Sequence, residues 1–298
     1  MKYQSIKESS PIHEVALWCE VLDVSRSAYY NWLHTPSRVR ALRDTVLKSS
    51  IQEINKVAAN RYGYRAMHAH LRSADVPCGK DRVLRLMHEL QLTQLPGKRF
   101  KPIGTDSRHN YGYHPNLLKA HGAPSKCNQV WVADTTYIRV EGGFAYQATV
   151  MDLYNREIVG WSISSHNDSN LVTEALINAF RNRSGLHAGL IHHSDRGSTY
   201  ASRAYQKVLL EHGVKPSMSA KGNCYDNAAM ESFFGRFKTS TIKNKIYENE
   251  IQVRDVVFEY VEIFYNRFRK HAALGYRSPI EFAKWETQQK QSQMKLAA

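Results

Sequence analysis

The stretch Val130–Val140, VWVADTTYIRV, decides the fold. Its β-branched and aromatic residues read as a strand, and two more strand-like runs follow at once, GFAYQATVMDL at 143–153 and EIVGWSIS at 157–164. Gly142-Gly143, between the first two runs, reads as a hairpin turn. Three strands joined by short turns predict an antiparallel meander. Downstream the pattern alternates: a helix from Asn170 to about Asn182, a short strand LIHHSD at 190–195, a helix from about Ser202 to His212, a strand VKPSMS at 214–219, and a long helix starting near Asp226. This order predicts an α/β domain, a mixed five-stranded sheet with flanking helices.

Three acids stand out against that pattern. Asp134 lies inside the first strand on the face of Val130 and Val132, where an acid is out of place. Asp195 ends the fourth strand, and Glu231 lies in the last helix beside Met230, Phe233, Phe234 and Phe237. A carboxylate in a core strand is costly unless it is paired or binds a cation. Three of them gathered at one sheet edge would repel one another and raise each other's pKa. A divalent metal resolves that conflict. Oxygen ligands suit Mg²⁺ or Mn²⁺, and two such ions ~3.5–4 Å apart can activate water and stabilise a leaving oxygen in phosphodiester cleavage. Taken singly, each acid has a plain structural reading too: a strand Asp held by backbone N–H groups, a helix Glu on a solvated face.

Working outward, the N-terminal part is helical by period. Ile12, Val15, Ala16 and Cys19 mark one apolar face, and after a turn at Asp23-Val24-Ser25 a second short helix, capped by Ser25, turns Ala28, Tyr29, Trp32 and Leu33 inward. Arg26, Ser27, Tyr30 and Asn31 are left outward, suited to phosphate or base-edge contacts, which is helix-turn-helix spacing. A second pair follows, with Met67, His70, Leu71 and Ala74 on one helix and Val83, Leu84, Met87 and Leu90 on the other. Lys80, Arg82 and Arg85 lie on the outer side of that last helix. The division expected is therefore a helix-turn-helix module at 1–36, a second at 37–92, a linker at 93–128, the α/β core with C-terminal helices at 129–287, and a frayed polar tail at 288–298.

Charge sharpens this division. The 298 residues carry 41 Lys and Arg against 27 Asp and Glu, a net charge of +14 that points to a polyanion, most often nucleic acid. The linker has the highest charge density, with Lys98, Arg99, Lys101, Arg108, Lys119 and Lys126 against Asp106 alone. Two readings of it stand, a segment laid along a phosphate backbone or an ordinary solvated linker. No run approaches the ~18–20 apolar residues of a membrane span, and MKYQSIKESSPIHE lacks the apolar core of a signal peptide. Cys19, Cys78, Cys127 and Cys224 form no C-x-x-C pair, so reduced thiols in a cytoplasmic, nucleoid-associated protein are expected. There is no Walker-type phosphate loop, and no nucleotide is expected.

WVADTTYI (131–138), HHSDRGSTY (192–200) and CYDNAAMESFFGRFK (224–238) together resemble the DDE transposases encoded by the second open reading frame of a large family of bacterial insertion sequences, which share their catalytic core with retroviral integrases. The 35 residues between Asp195 and Glu231 match the spacing of that group, and 60 lie between Asp134 and Asp195. YNRFRKHAALGYRSPIEF (265–282) and RYGYRAMHAHLR (61–72) also match, so the resemblance covers residues 12–285 or so. It implies an RNase H-like core in which Asp134 bridges two Mg²⁺ ions while Asp195 and Glu231 each hold one. It also implies nicking of the element end to leave a 3′-OH, followed by attack of that hydroxyl on a second phosphodiester. The partners implied are double-stranded DNA (the element's terminal inverted repeats and the target), at least a second copy of the chain on DNA, and an upstream helix-turn-helix and leucine-zipper protein joined by frameshifting. Retroviral integrases carry a His-His-Cys-Cys zinc site, and His109, His114 and Cys127 tempt that reading. The missing C-x-x-C rejects zinc.

Around the acids, Asn227, Glu231 and Lys238 are spaced to share a helix face, with Lys238 either touching a DNA phosphate or simply exposed. His193 alternates onto the side of Asp195 and is a candidate DNA contact, whereas His192 points to the other face as packing. Asp152 reads as a turn-capping acid. Arg196 pairs with either a phosphate or a carboxylate. Two rival functions stand beside the transposase: a silent DNA-binding regulator descended from one, and an RNase H-like nuclease that cuts without joining.

Overall fold

A computed structural model describes residues 2–9, 14–34, 37–92, 112–183, 185, 188–219, 228–243 and 245–297. Two compact units emerge, Met1–Ala59 with Gly63–Thr93, and Asn60–Tyr62 with Gln94–Ala298.

The first unit holds α1 (Lys2–Ser9), α2 (Val15–Val21), α3 (Arg26–His34), α4 (Ser37–Val57), α5 (Tyr64–Ser73) and α6 (Lys80–Glu89). The expected turn between α2 and α3 is present. Asp23 adopts a left-handed φ of 48°, and the Ala28 N–H reaches Ser25 Oγ at 3.5 Å. Ile6, Cys19 and Tyr29 are buried together, with Trp18 and Trp32 packed around them. Leu33, expected to face inward, is 37% exposed instead. In the other helices Met67, Leu71, Val83, Leu86 and Met87 close against Leu47 and Ile51 of α4. The sequence reading contains neither α1 nor α4. In α4 Leu42 and Val46 face solvent while Leu47 and Ile51 are buried, so apolar residues on both sides blur its period.

In the second unit β1 (Val130–Val140), β2 (Gly143–Asp152) and β3 (Ile158–Ser164) form the expected antiparallel meander, with Glu141 and a left-handed Gly142 making the hairpin turn. β4 (Ile191–Ser194) and β5 (Lys215–Met218) extend the sheet on the other side of β1, both parallel to it, in the order β3-β2-β1-β4-β5. Helices α8 (Ser169–Asn182) and α10 (Arg203–Glu211) start at Asp168 and Ser202, whose side chains accept the N–H groups of Leu171 and Tyr205. Short helices α7 (Leu118–His121) and α9 (Ser198–Ala201) lie before β1 and after β4.

The core forms where α8 lies on β2 and β3, burying Leu171, Val172, Ala175, Leu176 and Ala179 with Val150 and Val159. Gly160 makes this close approach possible: a Cβ there would stand 2.3 Å from the Ala175 carbonyl oxygen. The edge of β3 is closed by a side chain. Asn266 donates to the Ile158 carbonyl and accepts its N–H, both at 2.9 Å, so the amide completes a pairing that a sixth strand would otherwise make.

Beyond β5, α11 (Ala228–Phe237) runs into a π-helical turn (Lys238–Ile242), and α12 (Glu250–Phe258) into another (Glu259–Tyr265). The single long helix expected after Asp226 is thus interrupted at Lys238. The tail expected to fray from Gln288 belongs to α13 (Pro279–Ala297), because its Gln, Lys, Met, Leu and Ala residues are good helix formers. Arg61 and Tyr62, expected in the helical module, dock in the second unit. Arg61 donates to Glu259 at 3.0 and 2.7 Å, and the Tyr62 hydroxyl donates to the Phe268 carbonyl at 2.7 Å.

Candidate active site

Parallel pairing of β1 with β4 brings two of the acids together. Val130, Trp131 and Val132 pair with Ile191, His192 and His193. Asp134 and Asp195 each stand two residues beyond the last of these pairs, on the face of Val132 and His193. The carboxyl ends of adjacent parallel strands are where open α/β sheets place their ligands. Both carboxylates are oriented by backbone: Asp134 Oδ1 accepts the Thr135 N–H at 2.8 Å, and Asp195 Oδ1 accepts the Gly197 N–H at 2.9 Å. Glu231 lies exposed in the first turn of α11.

Asp195 and Glu231 both act on the Asp134 carboxyl. Burial, then Asp195, and more weakly Glu231, push the Asp134 carboxyl up to about 7, against the pull of the Thr135 N–H and Lys238. Lys238, where α11 gives way to the π-helical turn, has its ammonium 4.6 Å from the centre of the Tyr137 ring. Burial lowers its pKa while Asp134 opposes that shift. Among the described residues no three His, Cys, Asp or Glu side chains stand close enough to hold an ion as they are. The donor set nevertheless suits a hard divalent cation: carboxylate oxygens only, with one carboxyl held far above its usual range by burial and its acidic neighbours.

Other expected residues fall differently. His193 is fully buried, with Nδ1 2.9 Å from Ser217 Oγ and Nε2 3.0 Å from Ser219 Oγ, so it braces β4 against β5 and presents nothing to DNA. His192 packs as expected on the opposite face, 3.0 Å from the Tyr205 hydroxyl, and burial pushes its pKa down to about 3. Asp152 holds its turn by accepting the Asn128 and Tyr154 N–H groups. Arg196 Nε donates to the Ser219 carbonyl, and its guanidinium lies 4.9 Å from the Tyr113 ring centre.

On α3, Arg26, Ser27, Tyr30 and Asn31 are exposed, as is Lys80 on α6. Arg82 and Arg85 do not stand as unpaired outward cations. Both reach Asp44 of α4 at 2.7 Å, and Arg85 also reaches Glu89 at 2.5 Å, so these ion pairs clamp α6 to α4. Asn31, Trp32, Arg43, Arg82 and Arg85 line one groove of about 540 Å³. Lys98, Arg99, Lys101, His109, Cys224 and Asn227 lie outside the described residues.

Sequence reasoning missed Tyr200, which follows Asp195 by five residues on α9. It is buried, its hydroxyl has no hydrogen-bond partner among the described residues, and burial first, then Tyr205, Asp134 and Asp195, raise its pKa well above 10. Its only signal was a place within HHSDRGSTY.

A sheet of this order, with Asp134 inside β1 beside Asp195 just past the end of β4, and helical DNA-binding elements before it, defines an RNase H-like polynucleotidyl transferase of the integrase type. Family models agree: an integrase core domain matches residues 124–224, another integrase core domain matches 212–279, and an HTH-like domain matches 41–100. The chain belongs to the DDE transposases of bacterial insertion sequences. It is 33% identical over 288 residues to Transposase InsF for insertion sequence IS3A of Escherichia coli (strain K12), covering 95% of this chain and 98% of that one. It is 42% identical over 265 residues to the "Insertion element IS600 uncharacterized 31 kDa protein" of Shigella sonnei, covering 89% and 96%. Among solved structures, the simian T-cell lymphotropic virus intasome in complex with PP2A regulatory subunit B56 gamma aligns at 12% identity and a TM-score of 0.41, over 77% of this chain and 73% of that one. The HTLV-2 integrase catalytic core domain in complex with magnesium aligns at 12% and 0.38, over 53% and 98%. No helix among the described residues is long and apolar enough to cross a membrane.

Proposed function

We propose that this transposase nicks and joins DNA at the ends of its own insertion sequence with Asp134, Asp195 and Glu231 as metal ligands. The observation that carries this reading is the equivalent placement of Asp134 and Asp195, each two residues past the last pair of β1 with β4, with Glu231 near enough to act on the same carboxyl. Two Mg²⁺ ions, or Mn²⁺ in their place, would supply the positive charge that activates an attacking oxygen and stabilises the leaving one. The protein's part is preparation. Thr135 and Gly197 hold one oxygen of each aspartate in place, and Glu231 closes in from α11 to complete the ligand set. Lys238, braced on Tyr137, is aimed at a phosphate beside the scissile bond.

Double-stranded DNA of the terminal repeats and target is the substrate. The first strand cut leaves a 3′-OH, which attacks a second phosphodiester. One phosphodiester is exchanged for another, so no nucleotide is consumed. Synapsis of two ends calls for at least two copies of the chain, alone or fused to an upstream helix-turn-helix and leucine-zipper segment. Labelled element-end DNA incubated with Mg²⁺ or Mn²⁺ tests this. Wild type, alone or as the fusion, should give nicked and joined products, and Asp134→Asn, Asp195→Asn and Glu231→Gln should give neither while still binding DNA. Near-normal cleavage by any of these variants would remove that residue from the ligand set, and cleavage without joining would favour a simple nuclease.

A further inference from the structure

The second unit also holds a set of like charges of the opposite sign to the acids. Arg156 lies in the turn between β2 and β3, Arg236 in the last turn of α11, and Arg269 and His271 in the segment after the second π-helical turn. Tyr265 lies among them: Phe233 of α11 meets its ring edge-on at 4.9 Å, and the next residue, Asn266, is hydrogen-bonded to Ile158, two residues past Arg156. The Arg269 guanidinium stands 5.7 Å from the Tyr265 ring centre, and the His271 ring meets that ring edge-on at 5.0 Å.

No carboxylate among the described residues pairs with Arg156, Arg236 or Arg269. Acids of the same unit are engaged elsewhere: Glu157 with Arg183, Glu259 with Arg61, and Glu281 with Lys270. Arg269 Nε and His271 Nε2 are buried without a hydrogen-bond partner among the described residues. Burial, then Arg269, Arg156 and Arg236, push His271 down to about 3, so it stays neutral and its ring N–H remains a donor. Burial and Arg269 likewise disfavour the charge on Arg236.

Arg156 adds a second kind of cost. Its φ is +62°, a left-handed conformation in which Gly or Asn would be at ease and a long side chain is not. Stacked like charges, buried unpaired donors and a strained arginine turn are costs that an anion would offset. Planar guanidinium forks match the oxygens of a phosphate. Arg236 is exposed and Arg156, Arg269 and His271 are half-buried, so the cluster reaches the surface at Arg236.

We propose that Arg156, Arg236, Arg269 and His271 form a second phosphate site, outside the acid triad, that takes a backbone phosphodiester of the DNA. The identity of the anion rests on the reading of DNA as substrate. The guanidinium groups take the phosphate oxygens, and the neutral His271 ring lies beside them.

The test uses the intact chain without divalent metal, so that no cleavage occurs. It compares wild type with Arg156→Asn, Arg236→Gln and Arg269→Gln, using element-end duplex DNA and inorganic phosphate as probes. Each variant should lose roughly tenfold in duplex affinity, and the slope of log affinity against log salt should become shallower by about one. Inorganic phosphate should raise the wild-type melting temperature, and this rise should shrink in each variant. Arg156→Asn separates binding from folding, since Asn suits the left-handed turn and should melt no lower than wild type. Wild-type affinity and salt slope in Arg156→Asn and Arg236→Gln would overturn the proposal. Should the wild-type chain bind no duplex at all, the substrate reading fails on its own, and the phosphate arm decides the site: a melting shift lost in Arg156→Asn supports it, and no shift in wild type overturns it.

Discussion

Asp134 and Asp195 stand at the same step of two parallel strands, each two residues past the paired Val132 and His193. Sixty residues of chain separate them in sequence, yet register alone makes them neighbours. The arrangement explains why an acid interrupts an otherwise apolar strand: the sheet's carboxyl edge is the one place where that carboxylate meets another.

Lys238 pulls against the raised Asp134 carboxyl, and it is held over the Tyr137 ring. Lys238→Met keeps the aliphatic stem and removes the charge. Duplex DNA affinity should fall, with the salt slope shallower by about one phosphate, and cleavage should slow with it. Titrations at several salt concentrations check this; an unchanged slope would make Lys238 a support for Tyr137 only.

Tyr200 buries a hydroxyl that finds no partner among the described residues. A buried unsatisfied polar group costs about 1–3 kcal/mol. Tyr200→Phe should therefore leave the metal-free protein as stable as wild type or about 1 kcal/mol more so in urea unfolding. A loss of stability would mean that the hydroxyl has a partner, such as an ordered water.

Gly160 meets the backbone of α8 at a distance no Cβ tolerates. Gly160→Ala should cost at least about 2 kcal/mol, the upper range of overpacking, because backbone and not a flexible side chain must yield. Chemical denaturation measures it directly.

His192 gives a pH dependence with a definite sign. Its folded-state pKa, about 3, lies below the ordinary imidazole value of 6.5. Its contribution is fully present above pH 6.5 and is lost as pH falls toward 3, at up to about 1.4 kcal/mol per pH unit. His192→Gln should flatten that part of the stability profile relative to wild type. Parallel profiles would show that other groups govern the acid limb.

Much of this was legible in the sequence where the signal is local. The β1–β2 hairpin follows from two strand-like runs around Gly142-Gly143, and the apolar period placed α8 at Asn170 to about Asn182 and α10 from about Ser202 to His212, within a residue of where they stand. What escaped depends on distant partners. Arg82 and Arg85 looked like free outward cations because Asp44, which holds them, lies on another helix. His193 looked like a site residue because alternation gives its face but not the two β5-side serines that occupy its ring. The cluster of Arg156, Arg236 and Arg269 comes from three separated segments with no spacing signature at all. Tail residues from Gln288 read as frayed on polarity alone, although their helix propensity was good.

The central claim is that Asp134, Asp195 and Glu231 act as one metal site, and a calorimetric titration of Mn²⁺ into the intact chain tests it most directly. Wild type should bind the ion, release protons from the raised Asp134 carboxyl near pH 7, and gain thermal stability as the site fills. Asp134→Asn, Asp195→Asn and Glu231→Gln should each weaken binding at least tenfold. Wild-type Mn²⁺ affinity in all three variants would contradict the account.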